Sequence, residues 1–321
     1  MHALITGGAG FIGSHLVDSL LLEGHKVTVL DSLENGILKN VHSHIKNKSF
    51  KFFQGDVRNQ KFVSRVIKDV DTIFHLAANL QEDGGVEDPL SDFETNVIGT
   101  FNILLAAKQF HAKMVIFSSS VMVYGGRDKL SELPINEDDS IKITTPYSAS
   151  KFTGEKYCLL FNRIYGLKTV VLRYFNVYGS RVRLDNPYLG VVNKFVQNYL
   201  KKKPMTIYGD GHQTRDFVDV RDVVNATMLA AVRDSAVGEV INVGSGIATS
   251  INKLANIIQS IFLDMGAQKI PPPIHEDPRS NEAYIHAQAG LKKATRILGY
   301  KPKISIKKGL EDLIHFYQKK I

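Results

Sequence analysis

The sequence has a single cysteine, Cys158, among its 321 residues. One cysteine excludes an intramolecular disulfide and a cluster of cysteine metal ligands, which fits a reducing compartment. The eleven histidines show no spacing with carboxylates that is typical of a metal site. We therefore expect no bound metal, and we expect Cys158 to be a small, buried apolar residue.

Long apolar runs are also absent. A helix that crosses a bilayer needs about 20 predominantly apolar residues in succession, and the apolar runs of this chain are far shorter. The N-terminus leads directly into an apolar strand, without the charged and then apolar pattern of a leader. With 44% hydrophobic and 22% charged residues, the composition is typical of a globular protein. We expect a cytoplasmic enzyme without a membrane partner.

Clusters of basic residues are few, although the formal net charge is +8. Lysines and arginines are scattered along the chain, in small groups such as Lys201–Lys203 and Lys319–Lys320. Nucleic-acid binding needs basic side chains gathered on one face, so we expect no nucleic-acid partner. A small substrate that bears phosphate fits the same charge balance.

A glycine-rich stretch lies near the start of the chain, where residues 6–13 read TGGAGFIG. A short apolar run precedes it and a helical pattern follows, which is the strand–turn–helix context of a dinucleotide-binding turn. Gly7 and Gly8 allow a sharp bend. Gly10 leaves room for a pyrophosphate against the backbone, and Gly13 lets the helix pack closely on the strand. The free N–H groups at the helix N-terminus favour binding of phosphates.

An acidic residue stands at the end of the next predicted strand. Asp31 follows the apolar pattern Lys26–Leu30, about 20 residues beyond the glycines, where a carboxylate accepts hydrogen bonds from an adenosine ribose. The next residues, Ser32–Asn35, include no cation that would neutralise a 2′-phosphate. The sequence therefore predicts NAD rather than NADP.

Strand and helix patterns alternate through the first half of the chain. The strand patterns end in segments that contain small or polar residues, at 56–57, 77–79, 118–120 and 174–176. This alternation predicts an α/β fold with a Rossmann-type, doubly wound parallel sheet, whose ligands bind at the carboxyl ends of the strands. We predict an NAD-binding domain of residues 1–176, with about 216–246 returning to its sheet. About 177–215 and 247–321 would form a smaller C-terminal α/β substrate lobe.

A tyrosine and a lysine stand four residues apart, at Tyr147 and Lys151, and Pro146 suits the first turn of a helix that carries both on one face. A nearby lysine favours the phenolate, so we expect it to lower the pKa of the tyrosine and make Tyr147 a usable base. Ser120, at a strand end, can hydrogen-bond a substrate oxygen. Each feature alone has a plain structural explanation, but together with the glycine turn they indicate hydride transfer.

Ordered motifs run along nearly the whole chain: T-G-G-A-G-F-I-G, G-D-V, H-L-A-A, N-V-I-G-T, S-S-S-x-x-V-Y-G, Y-x-x-S-K and R-Y-F-N-V-Y-G. In this set the sequence resembles the extended short-chain dehydrogenase/reductases. It is most similar to their nucleotide-sugar epimerase/dehydratase branch and, within it, to the UDP-glucose 4-epimerases. The resemblance implies an NAD-dependent enzyme acting on a nucleotide-sugar, with a UDP-sugar as the expected form. It also implies a homodimer formed through helices at about 90–108 and 147–165.

The resemblance implies roles for individual residues. The implied catalytic residues are Ser120, Tyr147 and Lys151. The implied cofactor-binding residues are Gly7, Gly10, Phe11, Ile12, Gly13, Asp31, Asp56, Val57, Leu76, Ala77, Ala78, Asn96, Ser118, Tyr147, Lys151 and Tyr174. The implied substrate-binding residues are Ser120, Met122, Tyr147, Asn176, Arg215 and Arg279. For the two arginines the alternative is a structural salt bridge, for instance with Asp216 or Glu282.

The chain departs from its relatives at two places. Related 4,6-dehydratases place Asp-Glu where Val121 and Met122 stand, and decarboxylase relatives tend to carry a Glu there. Because neither side chain can act as an acid or a base, we predict epimerisation at C4. The alternatives are a dehydratase or keto-reductase of the same family and, in another class, a non-catalytic NAD-sensing protein. Two segments leave the choice between a hexose and an N-acetylhexosamine open. They are residues 79–85 and residues 284–286, which lie near the family position that admits or excludes N-acetyl sugars.

Overall fold

The computed structural model describes residues 1–79, 86–183, 190–267, 271–278 and 285–319. Its strands, in chain order, are β1 (His2–Thr6), β2 (Lys26–Asp31), β3 (Phe50–Gln54), β4 (Thr72–His75), β5 (Met114–Ser120), β6 (Lys168–Tyr174), β7 (Asn176–Tyr178), β8 (Thr206–Tyr208), β9 (Thr214–Asp219), β10 (Val240–Val243), β11 (Ala248–Ser250) and β12 (Ile274–Glu276). Its helices are α1 (Phe11–Leu22), α2 (Gln60–Val66), α3 (Pro89–Phe93), α4 (Gly99–Gln109), α5 (Pro146–Tyr165), α6 (Val191–Leu200), α7 (Val220–Val232), α8 (Ile251–Asp264), α9 (Lys292–Leu298) and α10 (Ile306–Gln318).

Seven strands form one parallel sheet in the order β10-β6-β5-β4-β1-β2-β3. The strand order reverses between β1 and β4, and a reversal of this kind opens a crevice at the carboxyl ends of the strands. Apolar side chains of α1, α7 and α9 cover one face of the sheet, and those of α2, α4 and α5 cover the other. The predicted doubly wound fold is confirmed.

Smaller sheets lie beyond β6. Strands β11, β9 and β7 form one of them, and β12 pairs with β8 in another. Helices α6, α8 and α10 supply most of a separate apolar cluster. Within the segment predicted to return to the main sheet, β10 does so, whereas β9 pairs in the small sheet. The division into two lobes stays our prediction.

A π-helical turn, Glu94–Ile98, connects α3 to α4 where the sequence predicts one continuous helix. Turns of this kind often occur at functional sites because they redirect side chains. Here the turn carries Asn96, which is buried. Cys158 is buried in the apolar cluster beneath α5, as predicted.

The described residues include no helix with the length and hydrophobicity to cross a membrane. Nor do those residues bring together three or more His, Cys, Asp or Glu side chains in an arrangement that could hold a metal ion.

Candidate active site

Adjoining cavities open at the carboxyl edge of the main sheet and share Gly7, Gly10, Leu76 and Ala78. The smaller, of about 110 Å³, is also lined by Asp31, Asp56, Val57 and Ala77. The larger, of about 420 Å³, adds these residues of the predicted site: Phe11, Ile12, Gly13, Ser118, Ser120, Met122, Tyr147, Lys151, Tyr174 and Asn176. Tertiary structure thus gathers most of the predicted residues in one cleft, with the acidic ribose position at one end and Tyr147 at the other.

The glycine turn is built from close backbone contacts. Gly7 has a φ of +70°, which glycine adopts without strain, and its N–H donates to the Leu30 carbonyl at 2.9 Å. Helix α1 begins at Phe11 without a side-chain cap. Its first N–H groups therefore remain available for an anion in the cleft.

Replacing Gly13 by alanine should disrupt this turn. An added Cβ would lie against the Gly7 carbonyl oxygen and 2.8 Å from the Gly8 Cα, so the backbone itself would have to move. We expect the free energy of unfolding to fall by about 1–3 kcal/mol, and NAD affinity to fall at least about tenfold because the phosphate-binding turn shifts. Chemical denaturation and NADH titration measure the two effects.

Gly190→Ala is the matched control for stability, since within the described part of the chain no atom beyond its immediate neighbours lies within 4 Å of an added Cβ there. Wild-type stability and wild-type NADH affinity in Gly13→Ala would contradict the close-packing role assigned to Gly13.

Asp31 is buried at the end of β2. Its carboxylate accepts hydrogen bonds from the N–H groups of Ala9 at 2.9 Å and Leu33 at 2.8 Å. Burial raises the pKa of Asp31, and these backbone donors oppose that rise. Arg58, which lies near Glu34 on this side of the cleft, is paired with Asp56 at 2.5 Å. A 2′-phosphate beside Asp31 would therefore meet a carboxylate, which favours NAD.

Tyr147 and Lys151 project from the first turns of α5. Thr145 caps the helix and Pro146 occupies its first turn, so the start of α5 is defined by local sequence. Both side chains are buried, Tyr147 hydrogen-bonds Ser120, and the Lys151 ammonium lies 4.6 Å from the centre of the Phe117 ring. The predicted tyrosine, serine and lysine therefore meet at one end of the larger cavity.

The prediction that the pKa of Tyr147 is lowered by the nearby lysine is wrong for the chain without its cofactor. Burial raises the pKa of Tyr147, the Asp92 carboxylate raises it further, and the Ser120 hydrogen bond lowers it. Burial also lowers the pKa of Lys151 to about 8, and the Asp92 carboxylate is the strongest of the influences that raise it. Sequence spacing indicates that the two side chains are neighbours, but it does not show how completely they are withdrawn from water.

Three predicted cofactor residues make contacts that spacing could not reveal. Asn96 lies behind the cavity wall, accepts the N–H of Asn79 at 2.8 Å and donates to the Asn79 carbonyl at 3.0 Å. Tyr174 lines the cavity, but its hydroxyl bonds Thr227 at 2.7 Å. Ser118 donates to the His75 carbonyl at 3.1 Å. Asn96 therefore supports, from behind, the loop that follows β4 and carries Asn79, and its own side chain does not face the cavity.

The predicted substrate residues divide into two groups. Ser120, Met122 and Asn176 line the larger cavity, whereas Arg215 lines neither cavity and donates to the carbonyls of Thr214 and Ile285, each at 3.0 Å. Arg279 and Glu282 lie outside the described residues, as do residues 80–85 and Tyr284.

The alternative of a salt bridge between Arg215 and Asp216 does not hold. The buried Asp216 carboxylate accepts hydrogen bonds from the N–H groups of Ser245, Gly246 and Ala289 and from the Ser245 hydroxyl. Asp216 thereby ties β9 to two later loops.

Sequence reasoning missed several residues that line the cleft. Asn79 and Thr95 line the smaller cavity, and Asn193 and Phe217 line the larger. Asn79 was open to prediction, because it follows a strand at the same edge as the other ligand-binding positions. Asn193 lies on α6, and its place in the cleft follows only from tertiary packing.

Hydride transfer with a nicotinamide dinucleotide is the chemistry that this cleft can serve, so the fold and site define a Rossmann-type NAD-dependent enzyme. The described part of the cleft offers a buried acid for the ribose, an uncapped helix N-terminus for the pyrophosphate, and a Tyr–Ser–Lys cluster where the ring would lie.

Comparisons with known proteins agree. A family model, the NAD dependent epimerase/dehydratase family, matches residues 3–244. The chain is 37% identical over 315 residues to a putative UDP-glucose 4-epimerase of Methanocaldococcus jannaschii, covering 98% of this chain and 97% of that protein. It is 34% identical over 321 residues to a UDP-N-acetyl-alpha-D-glucosaminuronate decarboxylase of Bacillus cytotoxicus, covering 98% and 97% respectively. The crystal structure of UDP-glucose 4-epimerase with UDP-glucose from Thermotoga maritima matches with a TM-score of 0.91 and 34% identity, covering 100% of this chain and 99% of that one.

The chain belongs to the NAD-dependent epimerase/dehydratase family. The predicted family, the NAD cofactor and the enzyme class are thereby confirmed. Because decarboxylases also occur among its relatives, membership of the family leaves the reaction and the sugar to be argued from the site.

Proposed function

We propose that the protein is a 4-epimerase of a UDP-sugar. The observation that carries the proposal is the composition of the catalytic end of the larger cavity. Ser120 and Tyr147 supply the hydroxyls that C4 chemistry needs, while the next positions, Val121 and Met122, supply neither an acid nor a base. A 4-epimerase needs no group to expel water from C5 and C6.

The reaction begins at the sugar 4-hydroxyl. Tyr147 accepts the hydroxyl proton, and Ser120 hydrogen-bonds the same oxygen as it becomes a carbonyl. NAD, when bound, would accept the hydride from C4 and give it back on the opposite face of the sugar, and its positive ring would favour the Tyr147 phenolate. Lys151 would hold the cofactor ribose and add a second positive charge. Once the 4-keto sugar has turned about its diphosphate linkage, Tyr147 would return the proton to the C4 oxygen.

Other reactions of the family fit this site less well. A 4,6-dehydratase, a keto-reductase or a decarboxylase would each produce a net chemical change rather than an isomer. Dehydration also requires an acid and a base near Ser120, where Val121 and Met122 stand. A non-catalytic NAD sensor would have no need of a buried Tyr147 beside Ser120 and Lys151. The epimerase is therefore our first choice, with a hexose or an N-acetylhexosamine as its sugar.

Proton NMR of the purified protein with UDP-glucose or UDP-N-acetylglucosamine, without added cofactor, tests the proposal. We expect the galacto epimer to appear at unchanged mass, because the hydride returns to the sugar. A product lighter by one water, or one that has lost carbon dioxide when a UDP-sugar acid is supplied, would replace the epimerase by a dehydratase or a decarboxylase. Consumption of added cofactor would indicate a keto-reductase.

We also propose a cytoplasmic homodimer joined through the helices near 90–108 and 147–165. Apolar side chains are exposed on these helices, and α5 repeats them at positions three and four apart on one face. They are Leu90, Phe93, Ile98, Tyr157, Leu160 and Ile164. An apolar face shared by adjacent helices suits a second copy of the chain, which can bury it by helix packing.

The double variant Leu160→Glu/Ile164→Glu should therefore be a monomer, because each charge would be buried against the partner. Light scattering after size-exclusion chromatography measures the mass. Leu263→Glu, at an exposed position on α8, is the control and should leave the mass at that of the wild type. A dimeric double variant would place the interface elsewhere.

A further inference from the structure

Lys151 carries its charge in an almost closed environment, with 2% of its surface exposed. The groups around it come from four elements. The Phe117 ring of β5 lies beneath the ammonium, and His75 of β4 is buried nearby with burial lowering its pKa to about 3. Tyr147, Cys158 and Glu155 share α5 with the lysine, and Asp92 approaches from α3. Since His75 is neutral and Cys158 is buried, Glu155 and Asp92 are the described carboxylates that can balance the ammonium.

Glu155 is already engaged. Its carboxylate forms a two-pronged ion pair with Arg173, at 2.8 Å to Nε and 2.7 Å to Nη2, and accepts the Ser119 hydroxyl at 2.5 Å. A guanidinium at this distance neutralises the carboxylate, because the pair is buried and little screened by water.

Asp92 has a different set of partners. Only 2% of its surface is exposed, and its Oδ2 accepts the Asn96 amide at 2.8 Å. The same Asn96 amide nitrogen donates to the hydroxyl of Ser150, one residue before Lys151, at 3.2 Å. Across the described part of the chain, no lysine or arginine nitrogen lies within 4 Å of Asp92 to form an ion pair. The carboxylate is held by a neutral donor, the Asn96 amide, near the start of α5, where Tyr147 and Lys151 are also buried.

We propose that Asp92 is a positioning residue that serves as the counter-ion of Lys151 and keeps the ammonium charged in the closed cleft. It would do so while tied, through Asn96, both to the Asn79 backbone that follows β4 and to Ser150 on α5. The inference rests on the proposed role of Lys151 in holding the cofactor ribose, and it does not depend on which sugar the enzyme uses.

The sign of the effect follows from the charges. Burial lowers the pKa of Lys151, and the Asp92 carboxylate is the largest influence in the opposite direction. Without that carboxylate the ammonium should lose its proton at a lower pH. An opposite charge within about 4–6 Å typically shifts a pKa by 1–3 units. The cofactor affinity that depends on the ammonium should then decline at a pH lower by about one unit.

The experiment measures NADH affinity by fluorescence titration of NAD-free protein between neutral and alkaline pH. No sugar is present, so a wrong assignment of the reaction would leave the measurement valid. In the wild type we expect affinity to decline as Lys151 loses its proton, and in Lys151→Met we expect that decline to disappear. In Asp92→Asn, which keeps the shape of the side chain, the midpoint should move to a pH lower by roughly one unit.

Two control variants separate charge from structure. Asp88→Asn removes a carboxylate from the exposed N-cap of the same helix and should retain the wild-type midpoint. Ser150→Ala removes the hydroxyl that accepts from the Asn96 amide but no charge, so it too should retain the midpoint. Coincident profiles for Asp92→Asn and the wild type would overturn the proposal. So would failure of both Asp92→Asn and Asp92→Ser to fold, since that result would assign Asp92 a purely structural role.

Discussion

Tyr147→Phe should abolish measurable turnover while NAD and UDP-sugar continue to bind. The phenolic oxygen is the group at the catalytic end of the cavity that can take the proton from the sugar 4-hydroxyl. Loss of a general base typically lowers kcat by about 10² to 10⁴. Phenylalanine fills the same space in this buried position, so the cavity that holds the ligands should keep its shape. The NMR assay measures kcat, and calorimetry with UDP measures nucleotide binding.

Tyr165→Phe is the matched control, because Tyr165 lies at the other end of α5 and is exposed. It should retain wild-type turnover. Full activity in Tyr147→Phe would show that another group removes the proton, whereas loss of bound NAD together with activity would show that the phenol has a structural role.

Arg173→Met should lower the free energy of unfolding by about 3–5 kcal/mol, because it leaves the Glu155 carboxylate without a partner in the protein interior. Both side chains are almost fully buried, with 4% of Arg173 and 1% of Glu155 exposed. The guanidinium also donates to the Tyr124 hydroxyl at 2.7 Å, and that hydroxyl donates to Asn242 at 2.8 Å. The substitution thus disrupts contacts that join β6, α5 and β10. Urea denaturation monitored by circular dichroism measures the change.

The double variant Arg173→Met/Glu155→Leu tests the physical reason. Removing both charges also removes the cost of burying an unpaired carboxylate, so the double variant should be more stable than Arg173→Met alone. If Glu155→Leu instead lowers the free energy of unfolding of Arg173→Met further, as an ordinary second core substitution would, the loss in Arg173→Met reflects packing rather than charge. Because Ser119 bonds Glu155 and precedes Ser120, we also expect turnover of Arg173→Met to fall.

The glycine turn, Asp31 and the Tyr147–Lys151 pair could be predicted from the sequence because their geometry is local. Strand, turn and helix follow one another within residues 2–22, and residues four apart on a helix share a face in any fold. The alternation of strands and helices likewise predicts a parallel sheet, and a parallel sheet brings strand ends to one edge. These rules were sufficient to predict most residues that line the cleft.

Other features depend on contacts between distant parts of the chain. Asp92, on α3, is joined to Ser150 of α5 through the amide of Asn96 on the π-helical turn, and no spacing in the sequence indicates that arrangement. Asn193 enters the cleft from α6, and Arg173 pairs with Glu155 across the interior. The family resemblance implies that Arg215 binds substrate, yet its described contacts include two backbone carbonyls and it lines neither cavity. Such pairings depend on which elements pack against each other. The hydrophobic pattern of the sequence shows only which face of each helix or strand is buried.

The protonation behaviour of the site divides in the same way. The sequence alone was enough to establish which reactive groups are present and that Tyr147 and Lys151 are neighbours, since both follow from composition and helix geometry. The tertiary structure decided how far those groups are removed from water and which charges face them. Burial raises the pKa of Tyr147 and lowers that of Lys151, because the ionised form of each loses its hydration in the interior. That loss depends on every element packed around the pair, so it becomes visible only in the folded chain.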